Sequence, residues 1–272
     1  MKFEKNIELF RETIWDFYHR EGRLFAWRNI DDPYRVVISE VMLQQTQTNR
    51  VVNKYEQFIL EFSSFEMLAM ASLRDVLSIW QGLGYNRRGM YLHQLAKKVV
   101  DEHQGILPKN PLILETFPGI GKATAASICA FAFNVPTVFI ETNIRTVFIH
   151  FFFKNETKVH DKEIMPLVAQ TIDHENPREW YYALMDYGVM LKKIMPNPSR
   201  KSRHHAKQSK FEGSDRQIRG MILRLLTKNQ SLSIKDLIDR LGKEAQRSEK
   251  IIDGMCIDGL MSKKNNKIMI SN

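Results

Sequence analysis

The chain has 272 residues, of which 43% are apolar, and it carries a formal net charge of +9 at pH 7. That apolar content excludes a disordered chain, and the length suffices for one large domain or two smaller ones. No apolar run approaches the roughly 20 residues that a membrane-spanning helix needs, and the first five residues are not a signal-type apolar region. We therefore expect a cytoplasmic location, associated with the nucleoid in a prokaryote.

The positive charge is concentrated towards the C-terminal end. Residues 1–196 contain 23 Lys or Arg against 23 Asp or Glu, whereas residues 197–272 contain 17 against 8. A basic tail on a neutral body favours a polyanionic partner such as nucleic acid, although a charge run that merely faces solvent has the same composition. Cys129 and Cys256 lie in apolar helical patterns, which favours free buried thiols in a reducing compartment.

The body of the chain has the pattern of helices. Apolar residues recur at spacings of three and four, for example over residues 36–62 and 166–172. Prolines and glycines fall between these segments and mark short connections. We predict an all-α architecture in which the apolar run 148–153 is a buried helix.

The turn at residues 117–125 joins two apolar segments and contains Gly119 and Gly121. Two glycines separated by one residue let the main chain turn sharply and point N–H groups outward. A helix that begins near Lys122 adds its positive end. The segment predicts a clamp for the DNA backbone, with Gly119, Gly121, Lys122 and Thr124 as contacts. An ordinary corner between two helices is the alternative interpretation.

The composition changes after Pro196. Residues 197–214 are basic and rich in small polar residues, which predicts a linker after a body at residues 1–196. Residues 215–272 contain three amphipathic segments, the second with Ser233 as its cap, and end in a basic hairpin. This order predicts a winged-helix-like module. Such modules bind DNA or proteins, and the charge favours DNA.

Three segments resemble a known enzyme family. They are Phe25-Ala26-Trp27-Arg28, Pro33-Tyr34, and Ser39-Glu40-Val41-Met42-Leu43-Gln44-Gln45-Thr46-Gln47. Together they closely resemble the N-terminal catalytic segment of adenine DNA glycosylases of the MutY type. With residues 82–85, 117–125 and 185–188, the resemblance to the helix-hairpin-helix (HhH-GPD) glycosylase superfamily covers about residues 20–190. The string at residues 40–46 is its most specific part, because endonuclease III shares the hairpin but not that string.

The resemblance implies a bilobal, all-α DNA glycosylase with two catalytic carboxylates. Excision of a purine passes through a cation-like sugar, so an acid must protonate the leaving base and an anion must stabilise the sugar. Glu40 occupies the family's general-acid position. Gln45 matches the residue that enters the duplex where the target base has left, which offsets part of the unstacking cost.

The resemblance also implies a base pocket beside the wedge. The residues implied in the pocket and wedge, apart from Gln45, are Trp27, Arg28, Leu43, Gln44, Tyr85 and Asp186. Tyr85 is expected to lie against the bent strand, with a half-buried packing role as the alternative. Trp27 and Arg28 are equally compatible with a lid over the core.

The second carboxylate departs from the family's pattern. Family members carry an Asp in an Asp-Gly-Asn-Val type motif, and the corresponding run here is Phe139-Ile140-Glu141-Thr142-Asn143-Ile144-Arg145. Glu141 keeps the charge and adds a methylene. Because a misplacement near 1 Å is costly in a preorganised site, either the backbone has shifted or the reaction differs.

Two further departures concern a lysine and a metal cluster. Bifunctional relatives carry a nucleophilic Lys where this chain has Ala123, so the resemblance implies a monofunctional enzyme. The family's four cluster cysteines correspond to Lys192, Ser199, Ser202 and Gln208. None of these is a thiolate, so we expect neither an iron-sulfur cluster nor another metal or cofactor. The residues after Ser214 are too few for the nucleotide-diphosphatase-like domain that reads 8-oxoguanine in many relatives.

The predicted reaction is hydrolysis of the N-glycosidic bond of adenine mispaired with guanine or 8-oxoguanine. The expected partner is double-stranded DNA with a mismatched or damaged base, bound by a monomer. Two alternatives stay open. One is a thymine or uracil mismatch glycosylase, and the other is a catalytically silent protein that binds distorted DNA, motivated by Glu141 and the C-terminal module.

Overall fold

The computed structural model describes residues 2–206 and 208–271, with side chains from residue 6 onward. Helices form most of the described chain, and the sheet within it is small and lies near the C-terminus. The predicted all-α class is confirmed. Met1, Lys207 and Asn272, which belong to the predicted body, linker and module, lie outside the described residues.

Within the described residues, every strand lies in the segment 232–271. The helices are α1 (Lys2–Glu21), α2 (Pro33–Leu43), α3 (Thr48–Glu61), α4 (Phe65–Met70), α5 (Leu73–Trp80), α6 (Arg87–His103), α7 (Pro111–Leu114), α8 (Lys122–Phe133), α9 (Thr142–Phe152), α10 (Asp161–Thr171), α11 (Pro177–Ile194), α12 (Asp215–Lys228), α13 (Ile234–Leu241) and α14 (Ala245–Ile257). The strands are β1 (Leu232–Ser233), β2 (Met261–Lys264) and β3 (Lys267–Ile270), and a 3-10 helix spans Pro198–Lys201.

The described residues form two compact units. The first contains residues 2–37, 108–116 and 120–206, and the second contains residues 38–107, 117–119 and 208–271. Helix α2 and the turn at residues 117–125 each contribute residues to both units. No helix in the described part of the chain is long and apolar enough to cross a membrane.

The core of the first unit is built around aromatic side chains. The ring of Phe10 on α1 lies 5.3 Å from Phe148, 5.1 Å from Phe152 and 6.0 Å from Trp180, measured between centroids. These contacts join α1 to α9 and α11, and Phe148 and Trp180 are fully buried. The buried helix predicted at residues 148–153 is confirmed in part: α9 ends at Phe152, Phe148 and Ile149 are buried, and residues 150–153 are half-buried.

The second unit contains α3–α6 together with the C-terminal module. Leu73 and Leu77 on α5 and Met90 on α6 share one buried apolar cluster with residues of α12–α14 and the sheet. The Gln81 side-chain amide donates to Thr227 Oγ1 at the same interface. The division into segments 1–196, 197–214 and 215–272 stays a prediction, and the structure adds that the last segment shares its core with α5 and α6.

The C-terminal module contains the three predicted helices followed by a hairpin, the element order on which the winged-helix-like prediction rests. Its strands pair antiparallel in the order β1-β3-β2, with Leu232 opposite Ile268 and Met261 opposite Ile270. Ser233 caps α13 as predicted, because its Oγ accepts from the N–H of Asp236 at 3.0 Å. Strand β1 was not predicted, since two residues are too short to show an alternating pattern.

The helical pattern over residues 36–62 is interrupted in the structure. Helix α2 ends at Leu43 and α3 begins at Thr48. Between them Gln45 adopts a left-handed conformation, with φ of 52°. An α-helix cannot continue through a left-handed residue, so the apolar spacing alone did not reveal this turn.

Candidate active site

Glu40 lies on the last turns of α2 and is half-buried. The start of this helix is fixed by Asp32, whose Oδ1 accepts from the N–H of Tyr34 at 3.0 Å. Val41 and Met42, which follow Glu40, are buried in the core. The position of the Glu40 carboxyl therefore depends on a helix held at its beginning and along its apolar face.

The turn after α2 is held by Arg88, a residue that the sequence did not single out. Its Nη1 donates to the carbonyl oxygens of Val41, Met42 and Gln44 at 2.8, 3.0 and 2.6 Å, and its Nη2 donates to Thr46 Oγ1 at 2.9 Å. The last carbonyls of a helix need hydrogen-bond donors from outside it, and one guanidinium supplies them at the end of α2. Burial lowers the pKa of Arg88 to about 10, which leaves it charged at neutral pH.

The predicted wedge residues surround an open cavity in the second unit. The cavity has a volume of about 520 Å³, and Gln44, Gln45 and Tyr85 line it. Gln45 is exposed, and Tyr85 shares its left-handed backbone, with φ of 47°. The Tyr85 hydroxyl accepts from Arg216 Nη1 at 2.9 Å and from the Gln208 amide. Leu43, the last residue of α2, is half-buried.

The hairpin at residues 117–125 has the predicted local geometry. Gly119 has φ of 75°, and a Cβ there would lie 2.9 Å from the Cβ of Tyr91, so only glycine fits. Helix α8 begins at Lys122 as predicted, and Gly121 caps it without a side chain. Gly121 and Lys122 are exposed and Thr124 is half-buried. The first N–H groups of a helix are suited to an anion.

Glu141 is the N-cap of α9. Its Oε1 accepts from the N–H of Asn143 at 2.6 Å and of Ile144 at 2.9 Å, and its Oε2 accepts from Asn143 Nδ2 at 3.1 Å. The carboxylate is thus fixed by neutral dipoles and the positive end of α9. This arrangement explains locally how the longer side chain is held at the position where relatives carry Asp.

Asn143 connects Glu141 to Lys192. The Lys192 ammonium on α11 donates to Asn143 Oδ1. Burial raises the pKa of Glu141, and the N–H of Ile144, the charge of Lys192 and the donors of Asn143 oppose that rise. Gly188 lets α11 approach this group, because a Cβ there would lie 2.5 Å from the Asn143 carbonyl oxygen. Because Glu141 is an N-cap, its bond to a nearby backbone or side-chain amide could be predicted from the sequence. The interaction of Lys192 with this group could not, because Lys192 is distant along the chain.

Asp186 is bound by two arginines in the first unit. Its Oδ2 accepts from Arg28 Nη1 at 2.8 Å and from the Arg23 N–H at 2.7 Å, and its Oδ1 accepts from Arg28 Nη2 at 2.7 Å and Arg23 Nε at 2.8 Å. Burial alone would raise the pKa of Asp186, but Arg28 and Arg23 outweigh it and hold the pKa below its usual value. Trp27 is buried and its ring stacks on Phe25 at 4.8 Å.

The structure groups the candidate residues by unit. Glu40, Leu43, Gln44, Gln45 and Tyr85 belong to the second unit. Trp27, Arg28, Glu141 and Asp186 belong to the first. The catalytic and base-pocket roles of these residues stay predictions, and the geometry gives Glu141 and Asp186 different local partners.

The four positions equivalent to the family's cluster ligands do not suit iron. Lys192 holds an amide, and the hydroxyl of Ser202 accepts from the N–H of His204 at 3.0 Å. An ammonium, two hydroxyls and an amide cannot replace four thiolates. The Cys129 thiol lies elsewhere, donates to the Lys109 carbonyl and has its pKa raised to about 11 by burial. These residues therefore do not fit the cluster.

Comparison with known proteins identifies the fold family. Residues 38–171 match the model of the HhH-GPD superfamily of base excision DNA repair proteins. The chain is similar to an adenine DNA glycosylase of Buchnera aphidicola (subsp. Baizongia pistaciae), with 34% identity over 67% of this chain and 53% of the relative. It is similar to human adenine DNA glycosylase, with 31% identity over 68% of this chain and 36% of the relative. The chain thus spans about half or less of the length of these two relatives.

Two further similarities cover most of the matched protein. A thymine/uracil-DNA glycosylase of Methanothermobacter thermautotrophicus is 26% identical over 69% of this chain and 86% of the relative. The solved structure of a thermostable thymine-DNA glycosylase superposes with a TM-score of 0.65 at 24% identity, over 74% of this chain and 94% of that structure. The latter confirms the predicted helix-hairpin-helix glycosylase fold. The family match and the similarity to the adenine DNA glycosylases show that the chain belongs to the HhH-GPD superfamily.

Proposed function

We propose that this protein is a monofunctional DNA glycosylase that removes adenine mispaired with guanine or 8-oxoguanine. The observation that carries the proposal is the Glu141 carboxylate, which three N–H donors orient at the start of α9. An oriented anion is what a cation-like sugar requires. Similarity to relatives named adenine DNA glycosylases supports adenine as the base.

The proposed reaction assigns a different task to each carboxylate. Glu40 donates its proton to a ring nitrogen of the adenine as the bond between C1′ and N9 breaks, and the bonding electrons leave with the base. The Glu141 carboxylate stabilises the positive charge that develops on the sugar. Water then adds to C1′ and returns a proton to Glu40, which leaves neutral adenine and an abasic site. Gln45 occupies the space in the duplex that the extruded adenine leaves.

The absence of strand cleavage is also part of the proposal. A Schiff base with the opened sugar requires an amine, and Ala123 stands where bifunctional relatives carry Lys. Borohydride is therefore expected to trap no covalent adduct with a substrate duplex, and efficient trapping would show that another amine reacts. We further propose that the enzyme acts as a cytoplasmic monomer on duplex DNA. No iron-sulfur cluster is expected, so the purified protein should be colourless and free of iron.

The test uses end-labelled duplexes with one adenine opposite guanine or 8-oxoguanine. Hot alkali after incubation converts each abasic site into a strand break. The wild-type chain should give breaks at that adenine, and Glu40→Gln should slow them by about 10²–10⁴ because an amide delivers no proton at neutral pH. Binding of Glu40→Gln to the same duplex should remain, and near wild-type excision by this variant would refute the assignment.

A second candidate is a thymine or uracil glycosylase. The observation that favours it is the relative in Methanothermobacter thermautotrophicus, of whose length the match covers 86%. Duplexes with thymine or uracil opposite guanine decide between the two in the same assay. Breaks at thymine or uracil alone would support the second candidate, and breaks on no duplex would support a protein that binds distorted DNA without excision.

A further inference from the structure

The cavity beside Gln45 contains residues from outside the segment that matches the family. Arg216 and Arg219 of α12 line it together with Arg87 and Tyr85. Residues 38–171 carry the family match, so the two α12 arginines are additions of the C-terminal module. Both belong to the same compact unit as the turn that carries Gln45.

The charges around this cavity leave positive charge uncompensated. Asp258 accepts from both Arg87, at 3.2 Å, and Arg219, at 2.5 Å, so one carboxylate faces two guanidinium groups. Arg216 donates to neutral oxygens, namely the Tyr85 hydroxyl, the Ser209 carbonyl at 2.7 Å and the Ser209 hydroxyl at 3.2 Å. Arg88 also lines the cavity and donates to neutral oxygens of the turn, so the four arginines and one aspartate sum to three positive charges beside the turn.

Arg216 is also oriented before any ligand arrives. Its guanidinium lies 5.3 Å from the centroid of the Tyr85 ring, within cation–π range, and its Nη1 bonds the hydroxyl of the same ring. A planar guanidinium held in this way loses little entropy when it binds a phosphate through two N–H groups. Pro118 and Gly119 of the hairpin line the same cavity.

We infer that α12 supplies a phosphate-binding site for duplex DNA, in which Arg216, with Arg219 and Arg87, binds the sugar-phosphate backbone beside the turn carrying Gln45. The inference rests on the proposed function for its choice of DNA as the ligand. It assigns the C-terminal module to the substrate-binding surface of the enzyme.

The test measures binding of the full chain to a duplex that cannot be excised, with a tetrahydrofuran abasic-site analogue opposite guanine, over a series of salt concentrations. Arg216→Gln should weaken binding roughly tenfold, as the loss of a hydrogen bond to a charged group does. The slope of log K against log salt should become shallower by about 0.9 for each phosphate that is no longer bound. Arg224→Gln is the control, because Arg224 is exposed on the same helix and does not line the cavity.

Asp258→Asn should have the opposite effect on DNA affinity. It removes the carboxylate that Arg87 and Arg219 share, so binding should tighten and the salt slope should become steeper. A gain in affinity cannot result from partial unfolding, and equal melting temperatures of Arg216→Gln and wild type exclude unfolding for the loss. Weaker binding by Asp258→Asn would contradict the inference.

Three outcomes would overturn the inference. Unchanged affinity and an unchanged salt slope for Arg216→Gln would exclude a phosphate contact. Equal losses of affinity for Arg216→Gln and Arg224→Gln would indicate only non-specific electrostatic attraction to DNA. A loss confined to duplexes with guanine opposite the analogue, absent with thymine, would assign Arg216 to a base instead of a phosphate. Because this duplex requires no catalysis, a wild-type chain that excises no adenine yet shows the predicted slopes would reject the proposed function and support the inference.

Discussion

Two carboxylates of the first unit, Asp186 and Glu141, are held by opposite means. Asp186 is bound by two guanidinium-bearing residues, Arg28 and Arg23, which donate hydrogen bonds to both of its oxygens. Glu141 is bound by neutral N–H donors at the start of a helix, with an ammonium one amide away. A carboxylate neutralised by two cations has little charge left for a reacting sugar, whereas the charge of one oriented by dipoles is not offset by a directly bound cation.

The comparison bears on which residue is the second catalytic carboxylate. Asp186 lies in a motif shared with the family and would be the first replacement for Glu141 if Glu141 were not catalytic. Its oxygens already accept from Arg28 and Arg23, so using it would require breaking a buried ion pair. The structure therefore favours Asp186 as a residue that joins the segment before α2 to α11, and Glu141 as the reactive anion.

The largest expected effect is the loss of stability on neutralising Asp186. Asp186→Asn should lower the free energy of unfolding by about 3–5 kcal/mol, because the Arg28 side chain is only 4% exposed and would keep an uncompensated charge. Urea denaturation measures the change. Asp31→Asn is the control, since Asp31 pairs with Arg178 while 92% exposed and should cost less than about 1 kcal/mol. Equal costs for the two variants would refute a structural role for Asp186.

The next effect concerns catalysis. Glu141→Gln should reduce single-turnover excision by about 10²–10³, because the amide oxygen can still accept from the N–H groups of Asn143 and Ile144 but supplies no charge to the sugar. Stability should change little, in contrast to Asp186→Asn. Glu141→Asp tests where the backbone places the carboxylate, because this variant should retain substantial activity only if the backbone has the family's usual geometry. Excision by Glu141→Gln close to the wild-type rate, with Glu40 still required, would mean that the anion lies elsewhere.

A third prediction uses the opposite pKa shifts of the two carboxylates. The pKa of Asp186 is lowered by folding, so its stabilising contribution is present above the unfolded pKa of about 3.9 and is lost as the pH falls through the folded pKa. The pKa of Glu141 is raised, so its contribution is present below the unfolded pKa of about 4.3 and is lost as the pH rises through the folded pKa.

Unfolding free energies measured between pH 3 and pH 8 test this difference in sign. Relative to wild type, Asp186→Asn should be least destabilised at the acidic end, and Glu141→Gln should become relatively more stable as the pH rises. Parallel curves for the two variants would show that both carboxylates are neutralised by the same kind of partner.

The sequence predicts the local features of the fold and of the candidate site, but not the contacts between distant segments. The hairpin, the start of α8 at Lys122 and the cap at Ser233 follow from local rules on glycine, helix termini and capping, and the structure has all three. Arg88 donates hydrogen bonds to carbonyls at the end of α2, and this contact forms only because the fold brings together segments more than 40 residues apart. The same is true of the bond between Lys192 and Asn143. Contacts of this kind leave no periodic pattern in the sequence from which they could be predicted.

The smallest expected effect tests whether Lys192 acts through Glu141. Lys192→Met removes the ammonium that holds Asn143, and with it a charge that opposes the raised pKa of Glu141. Excision at neutral pH should fall about 2- to 12-fold, the range that corresponds to one hydrogen bond of about 0.5–1.5 kcal/mol. The deficit should shrink as the pH rises and Glu141 ionises fully, so the acidic limb of the pH–rate profile should move to higher pH. Lys193→Met, which changes the exposed neighbour, should leave the profile unchanged. A deficit that is constant with pH, or one shared by Lys193→Met, would show that Lys192 supports the fold and does not tune the carboxylate.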